Sequence, residues 1–248
     1  MRLPKEEIAR VKPLLALAEP KNSPYPYLKN AFIDHERLYV GGHDALGWVP
    51  VEGLEYPTLV DARELKSTLV KIKGEAELTL EGSKLRVRGV GGTKKNPTFI
   101  DELLTEAPNE SGHRFNRFPW PAKASVKVPA LDLVSFKTED FKEALSFIRA
   151  TENWETHQGY PQGTWPTVYL ASRYGELLMV YRPNIESVVY KYVDAQTSLE
   201  GKPGFDPKLL SKAVACLKES QSVLSVPASR REVTLSDGIT EVRVATKA

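Results

Sequence analysis

The sequence predicts an α+β protein built from two copies of one unit, each with two helices and several antiparallel strands. Apolar residues at helical spacing occur near the start and near the middle of each half, and runs with strand-like alternation lie between and after them. Residues 105–127 are rich in Pro, Asn, Gly and Ser and lack clear periodicity, as is typical of a linker. We therefore predict domains at 1–108 and 128–248, joined by a linker at 109–127.

The first predicted helix of each half follows one pattern. Residues 3–11 align with residues 136–144, an offset of 133. Both segments place two acids in the first turn, where they favour the helix dipole, and continue with apolar residues at helical spacing. This pattern predicts helices at 5–18 and 138–151.

The second predicted helix of each half begins at an aspartate. Asp61 and Asp206, at an offset of 145, have the side chain preferred at a helix N-cap, and Pro207 suits the first helical position. Apolar stripes follow both aspartates and predict helices at 61–73 and 206–219.

Strand-like runs complete each half. After the second helix, residues 77–80 and 85–88 align with 232–235 and 241–244 at an offset of 155. Between the helices, β-rich runs are predicted at 31–33, 37–40 and 46–51 in the first half, and at 167–171, 176–181 and 187–193 in the second. Each half is therefore predicted as helix, three strands, helix and at least two further strands.

Several segments resemble DNA sliding clamps, most clearly the bacterial β subunit. Residues 27–33 are similar to the family's "P-x-L-x-N-V" entry into a strand, residues 38–47 to its "L-x-L-x-A-T-D" strand and turn, and residues 205–213 to the start of its late-domain helix. The Phe-Pro within residues 117–121 is similar to that found where the family's domains join. The resemblance implies the DNA-clamp fold, in which each domain packs two helices on a curved antiparallel sheet.

The resemblance also implies a function and an assembly. Sliding clamps encircle duplex DNA without sequence preference and tether DNA polymerase, repair enzymes and clamp-loader peptides. Bacterial clamps have three domains per chain, whereas two domains match the eukaryotic, archaeal and some phage clamps, which close a six-domain ring as trimers. The sequence also lacks the Met-Pro-Met-Arg-Leu ending of the β subunit. We expect a homo-oligomer, with a trimer favoured.

The charge pattern suits helices that face DNA. The total net charge is only +2, yet beyond their first turns the four predicted helices carry nine bases against two acids, Glu143 and Glu219. A shared positive surface would hold phosphates through sequence-independent contacts, while the alternative is an ordinary solvated helix face. The nine candidate DNA-facing residues are Arg10, Lys12, Lys66, Lys71, Lys73, Lys142, Arg149, Lys212 and Lys218.

Aromatic residues in the predicted linker offer a second candidate site. Phe115, Phe118 and Trp120 either pin the linker onto the domains or border a groove for partner peptides, the role that this region has in two-domain clamps.

Signals of other functions are weak. The four histidines show no metal-ligand spacing, and the one cysteine, Cys216, excludes an intramolecular disulfide, so we expect no metal, no cofactor and no catalysis. No apolar run approaches the roughly 20 residues needed to cross a bilayer, and the charged N-terminus does not resemble a signal peptide, which favours the cytoplasm. Two rivals stay open: a clamp-derived protein-interaction scaffold that closes no ring, and an unrelated duplicated β-rich enzyme domain.

Overall fold

A computed structural model describes residues 1–19, 26–90, 99–106, 124, 129–151, 167–181, 188–197 and 199–247. The chain divides into two compact units, unit 1 at Met1–Lys127 and unit 2 at Val128–Ala248. The described residues form four α-helices, and the strand pairings within each unit are antiparallel, which confirms the predicted α+β class. The predicted linker boundaries stay a prediction, because Ala124 alone represents residues 109–127 among the described residues.

Unit 1 contains two helices and eight strands. The helices are α1 (Lys5–Leu14) and α2 (Ala62–Lys71), and short 3-10 turns lie at Leu15–Leu17 and Pro26–Lys29. The strands are β1 (Arg2–Leu3), β2 (Asn30–Ile33), β3 (Arg37–Gly41), β4 (Ala45–Pro50), β5 (Thr58–Asp61), β6 (Glu75–Glu81), β7 (Lys84–Val90) and β8 (Phe99–Glu106). Their spatial order is β1-β6-β7-β8-β5-β2-β3-β4.

Unit 2 also contains two helices and eight strands. The helices are α3 (Thr138–Thr151) and α4 (Pro207–Ala215). The strands are β9 (Ala130–Lys137), β10 (Val168–Arg173), β11 (Glu176–Tyr181), β12 (Val189–Gln196), β13 (Gly204–Phe205), β14 (Gln221–Pro227), β15 (Glu232–Ser236) and β16 (Glu241–Ala245). They form two sheets of order β9-β14-β15-β16 and β13-β10-β11-β12, and a bridge between Gly204 and Lys247 links β13 to the end of β16.

The two units have the same topology. Element by element, β1 to β8 with α1 and α2 correspond to β9 to β16 with α3 and α4, in chain order and in sheet order. The β5–β8 pairing through Val60 and Thr105 has its counterpart in the Gly204–Lys247 bridge. The second helices therefore occupy the same position in both units. Each directly follows an aspartate, and Asp61 accepts two backbone N–H groups whereas Asp206 accepts one.

The predicted alignment of the last strands was wrong. The offset of 155 matches β6 and β7 with β15 and β16, whereas the topology matches them with β14 and β15, because β6 and β14 both follow the second helix and pair with the first strand of their unit. Alternating strands resemble one another in sequence, and only their pairing identifies them. The structure also has four strands between the helices of each unit, not three, because it adds the short β5 and β13.

Three helices end earlier than predicted. In α1, Pro13 lacks the N–H that would bond to the carbonyl of Ala9, and the helix gives way to a 3-10 turn after Leu14. Helix α2 ends at Lys71 because Ile72 turns to an extended conformation and buries its side chain. Helix α4 ends at Ala215, where the buried thiol of Cys216 bonds to the carbonyl of Lys212 at 3.2 Å.

Each unit has its own apolar core beneath its helices. Ile8, Val11 and Leu14 of α1 and Leu65 and Leu69 of α2 are buried in unit 1. The corresponding buried residues of unit 2 are Phe141, Ala144 and Ile148 of α3 and Leu210 and Val214 of α4. The apolar residues that the sequence pattern placed on one side of each helix are thus the ones that face the sheets. The charged residues therefore lie on the outer helix surfaces.

Candidate nucleic-acid interface

Two helices of unit 2 are fixed side by side by local signals and by their apolar stripes. The Asp206 carboxylate accepts the Leu209 N–H at 3.0 Å and so caps α4, while Pro207 occupies its first turn. In α3, Glu139 and Asp140 lie in the first turn, where the positive end of the helix dipole stabilises acids.

A groove of about 360 Å³ runs between these two helices. Helix α3 contributes Lys142, Leu145, Ser146 and Arg149, and α4 contributes Ser211, Val214 and Ala215, with Lys218 just beyond the helix end. Three cationic side chains therefore border a groove whose remaining described residues are small, apolar or hydroxyl-bearing. We call this set the helix groove. It can hold an anion through charge and through serine hydroxyls.

The cations of the helix groove differ in their surroundings. Lys142 donates to the Glu139 carboxylate at 2.7 Å, and its side chain is 28% exposed. Arg149 and Lys218 are exposed. On the adjoining surface of α3, Glu143 lies 3.6 Å from Lys191, so that acid is partly neutralised by a base of β12. The exposed ion pairs contribute little to stability, which leaves these bases able to exchange partners.

Asp237 fixes the segment that carries Lys218. One of its oxygens accepts the N–H groups of Lys218 at 2.6 Å and Glu219 at 3.1 Å, and the other accepts those of Ile239 at 3.1 Å and Thr240 at 2.7 Å. Burial acts to raise the pKa of Asp237, but the four N–H donors outweigh it and hold that pKa below its usual value. The carboxylate thus ties the end of α4 to the β15–β16 hairpin.

The candidate bases of unit 1 are arranged differently. At the offset of 145, Lys66 in α2 corresponds to Ser211 and Lys73 to Lys218, whereas at the offset of 133 Ala9 in α1 corresponds to Lys142. At the positions of unit 1 that correspond to those lining the helix groove, the cations therefore lie on α2 and just after it. In unit 2 the cations of the helix groove lie mainly on α3. The seven-residue pairs of bases, Lys66 with Lys73 and Lys142 with Arg149, therefore belong to helices that do not correspond to each other in the two units.

Comparison with known proteins supports the fold. The sequence matches no protein-family profile and no curated protein. Among solved structures, the beta subunit from DNA polymerase of Streptococcus pyogenes aligns with the whole chain at a TM-score of 0.71 and 14% identity. The DNA polymerase sliding clamp from Bacillus subtilis gives a TM-score of 0.70 at 12% identity, and the Helicobacter pylori beta clamp bound to a DNA ligase peptide gives 0.69 at 12% identity, again over the whole chain.

The fold is that of a DNA sliding clamp. The resemblance predicted from sequence motifs is confirmed at this level. The chain spans about 65% of the length of the Streptococcus pyogenes and Helicobacter pylori clamp chains and 64% of the Bacillus subtilis chain.

Within each unit of the clamp fold, the candidate bases have different surroundings. The structure brings Lys142, Arg149 and Lys218 together at the helix groove. Lys71 instead lies 3.7 Å from Asp101 and 5.5 Å from the ring centre of Phe99, both on β8. Lys73 lies beyond the end of α2. The other four, Arg10, Lys12, Lys66 and Lys212, lie on α1, α2 and α4, where Lys212 is exposed and the rest are half-buried.

The aromatic candidates Phe115, Phe118 and Trp120 lie outside the described residues. Ala124, the described residue of that segment, packs against an apolar cluster on the sheet of unit 1. Among the described residues, no group of three or more His, Cys, Asp or Glu side chains could hold a metal ion, and no helix is long and apolar enough to cross a membrane.

Sequence patterns missed three residues that shape the helix groove. Ser146 and Ser211 line it, and Asp237 holds its Lys218 side. The Asp-Gly pair at 237–238 is a turn signal, which indicates a hairpin but not that the carboxylate reaches back to α4.

Proposed function

We propose that this chain is a sliding-clamp-like processivity factor, which encircles duplex DNA without sequence preference and tethers polymerase or repair enzymes to it. In this role it needs no cofactor and performs no catalysis. The clamp fold supports the proposal, and the observation that carries it is the helix groove. Two cations of α3 and one from the segment after α4 border this single depression on the surface opposite the sheets.

The spacing of these cations suits a phosphate backbone. Lys142 and Arg149 are two turns apart on α3, which separates them by roughly 10 Å along the helix axis. A single DNA strand advances about 3.4 Å along its axis per nucleotide, so this separation spans about three phosphates. Long, flexible side chains beside hydroxyl groups offer charge but no fixed pattern of donors and acceptors, as a protein that slides requires.

Two exposed strand edges support the proposed assembly. Strand β8 bonds to β7 along residues 99–104 but to β5 only through Thr105 and Glu106, and β12 bonds to β11 alone among the described strands. Ile100 and Leu104 on β8 are large apolar side chains left exposed. We propose that the β8 edge of one copy pairs with the β12 edge of the next, a head-to-tail contact that closes a ring. At two units per chain, the six-unit ring needs three chains.

A salt titration tests the DNA interface. The triple variant Lys142→Ala, Arg149→Ala, Lys218→Ala should weaken binding equally for unrelated duplex sequences. If all three bases neutralise phosphates, the slope of log affinity against log salt should become less steep by up to about 2.7 per chain in contact with DNA. The matched control is Lys84→Ala, Arg86→Ala, Arg88→Ala on β7, which removes the same charge from cations already paired with Glu102, Glu81 and Glu77.

The two triple variants separate position from net charge. Equal changes in the salt slope would contradict the proposed interface, because net charge alone would then explain the effect. Encirclement is tested by retention on DNA: a closed circular plasmid should keep the protein in high salt, and linearising the plasmid should release it. A protein that leaves both forms at the same rate would instead fit a clamp-derived scaffold that closes no ring.

A further inference from the structure

A second depression lies on unit 2, on the sheet face that points away from the helices. Its volume is about 580 Å³, and its described lining comes mainly from β10, β11 and β12. Lys191 of β12 faces α3, since it lies 5.4 Å from the ring centre of Phe147. Side chains alternate along a strand, so Tyr190 and Tyr192 point to the opposite face. We call this depression the outer cleft.

The duplicated topology identifies the matching surface in unit 1. Three residues of the outer cleft, Tyr169, Val180 and Tyr190, form a transverse row of cross-strand neighbours that continues to Gly204 on β13. The equivalent row of unit 1 is Leu59, Phe32, Tyr39 and Trp48, paired across β5, β2, β3 and β4. Both rows are apolar and aromatic. At their first member, Gly204 stands in place of Leu59, because the Thr167 methyl group and the Tyr169 ring lie too close for a Cβ atom.

The two rows differ in what covers them. In unit 1 all four side chains are at most 6% exposed, and Leu28 and Ala124, from segments that precede β2 and follow β8, pack on the same cluster. In unit 2, Tyr190 is 51% exposed, and Tyr169 and Val180 are half-buried. The described residues of unit 2 therefore leave exposed an apolar row that unit 1 covers with its own polypeptide.

The rim of the outer cleft defines the chemistry of an occupant. Arg173 and Lys202 are the charged residues of its described lining, and both are exposed. Ala171 and Leu178 form an apolar floor between them and the tyrosines. Tyrosine and arginine around an apolar floor are the residues that most often dominate protein-binding energy. Two cations without a described carboxylate in the lining favour an acidic partner.

We propose that the outer cleft binds an extended peptide segment of a partner protein that carries both acidic and large apolar side chains. The peptide's apolar side chains cover the Tyr169–Val180–Tyr190 row, as Leu28 and Ala124 cover the equivalent row of unit 1, and its carboxylates pair with Arg173 and Lys202. This surface is distinct from the predicted linker groove at Phe115, Phe118 and Trp120. It does not depend on DNA binding, so either proposal can fail alone.

Fluorescence anisotropy with two synthetic probes tests the proposal. The acidic probe is a labelled acetyl-Glu-Leu-Glu-Phe-Leu-Glu-amide peptide, and the second probe replaces each Glu by Lys. The wild-type chain should bind the acidic probe at least tenfold more tightly. Tyr190→Ala should weaken that binding at least fivefold, because it truncates an aromatic wall of the cleft. The double variant Arg173→Glu, Lys202→Glu should remove the preference for the acidic probe.

Matched controls lie outside the outer cleft. Tyr56→Ala removes a tyrosine that is 61% exposed in unit 1, and Arg231→Glu reverses an exposed charge of unit 2; both should bind the acidic probe as the wild type does. Two results would overturn the proposal: no preference for the acidic probe, or unchanged binding of that probe by both cleft variants. DNA affinity measured on the same samples reports on the clamp function separately.

Discussion

Replacing Asp237 should both destabilise unit 2 and disturb the helix groove. Its carboxylate accepts four backbone N–H groups, at 2.6 to 3.1 Å, from the segment after α4 and from the β15–β16 turn. The residue itself is only 7% exposed, and Thr240, one of its donors, is fully buried. In Asp237→Ala, the N–H of Thr240 loses its acceptor where water does not easily replace it.

The expected cost follows from these bonds. A hydrogen bond to a charged group contributes about 1.5–3 kcal/mol, but the Lys218 and Glu219 N–H groups lie in exposed residues and can regain water. We therefore expect Asp237→Ala to lower the free energy of unfolding by about 3 kcal/mol. Asp237→Asn should cost about half as much, because the amide oxygen still serves one pair of donors while its nitrogen cannot accept.

The effect should depend on pH in one direction. The folded-state pKa of Asp237 is lowered, so the stabilisation is complete above the unfolded pKa of about 3.9 and is lost as the pH falls through the folded value. The stability difference between wild type and Asp237→Ala should therefore be constant from pH 5 to 8 and shrink below about pH 4.

Urea denaturation followed by circular dichroism measures the difference, and hydrogen exchange of peptides covering 216–219 and 237–240 localises it. The control is Asp194→Ala, which removes an exposed carboxylate that contacts Lys137 at 3.1 Å and should cost at most about 1 kcal/mol. If Asp237→Ala were no more destabilising than this control, or if the difference grew at low pH, the explanation from the N–H donors would be refuted.

Two further outcomes are expected. Gly53→Ala should destabilise unit 1 by at least about 2 kcal/mol in the same denaturation assay, because Gly53 has φ +47° and a Cβ atom would lie 2.0 Å from the His35 carbonyl oxygen; an unchanged midpoint would contradict this geometry. In sedimentation at micromolar concentration, the wild type should have about three times the 27.7 kDa chain mass, and Leu104→Lys on the β8 edge should shift it toward the monomer. A wild-type monomer at high concentration would contradict the ring.

Local signals made the beginnings of the elements predictable. Asp61 and Asp206 cap α2 and α4 because an N-cap depends only on the next three residues. The end of α2 was not predictable in this way, since Ile72 leaves the helix to bury its side chain against the sheet. The wrong strand alignment has the same origin: register and order depend on partners distant in the sequence.

The candidate sites likewise have features that local sequence predicts and features that depend on distant contacts. Charge counts along the predicted helices indicated Lys142, Arg149 and Lys218, but only packing brings α3 beside α4 to make one groove of them. Lys71 had the same sequence signal, yet its contact with Asp101 depends on the position of β8. The outer cleft could not be predicted, because the alternation of Tyr190 and Tyr192 indicates a sheet face and carries no information about what covers it.

The burial of Cys216 has a practical consequence for the study of assembly. It is the one cysteine among 248 residues, and its sulfur is enclosed in the core of unit 2. Maleimide reagents and oxidants should therefore react very little with the native protein. New cysteines can be introduced without first replacing Cys216. One cysteine placed on the β8 edge and one on the β12 edge would report the distance between neighbouring copies. A disulfide would cross-link copies that pair through these edges, and dyes attached to the two cysteines would report their separation.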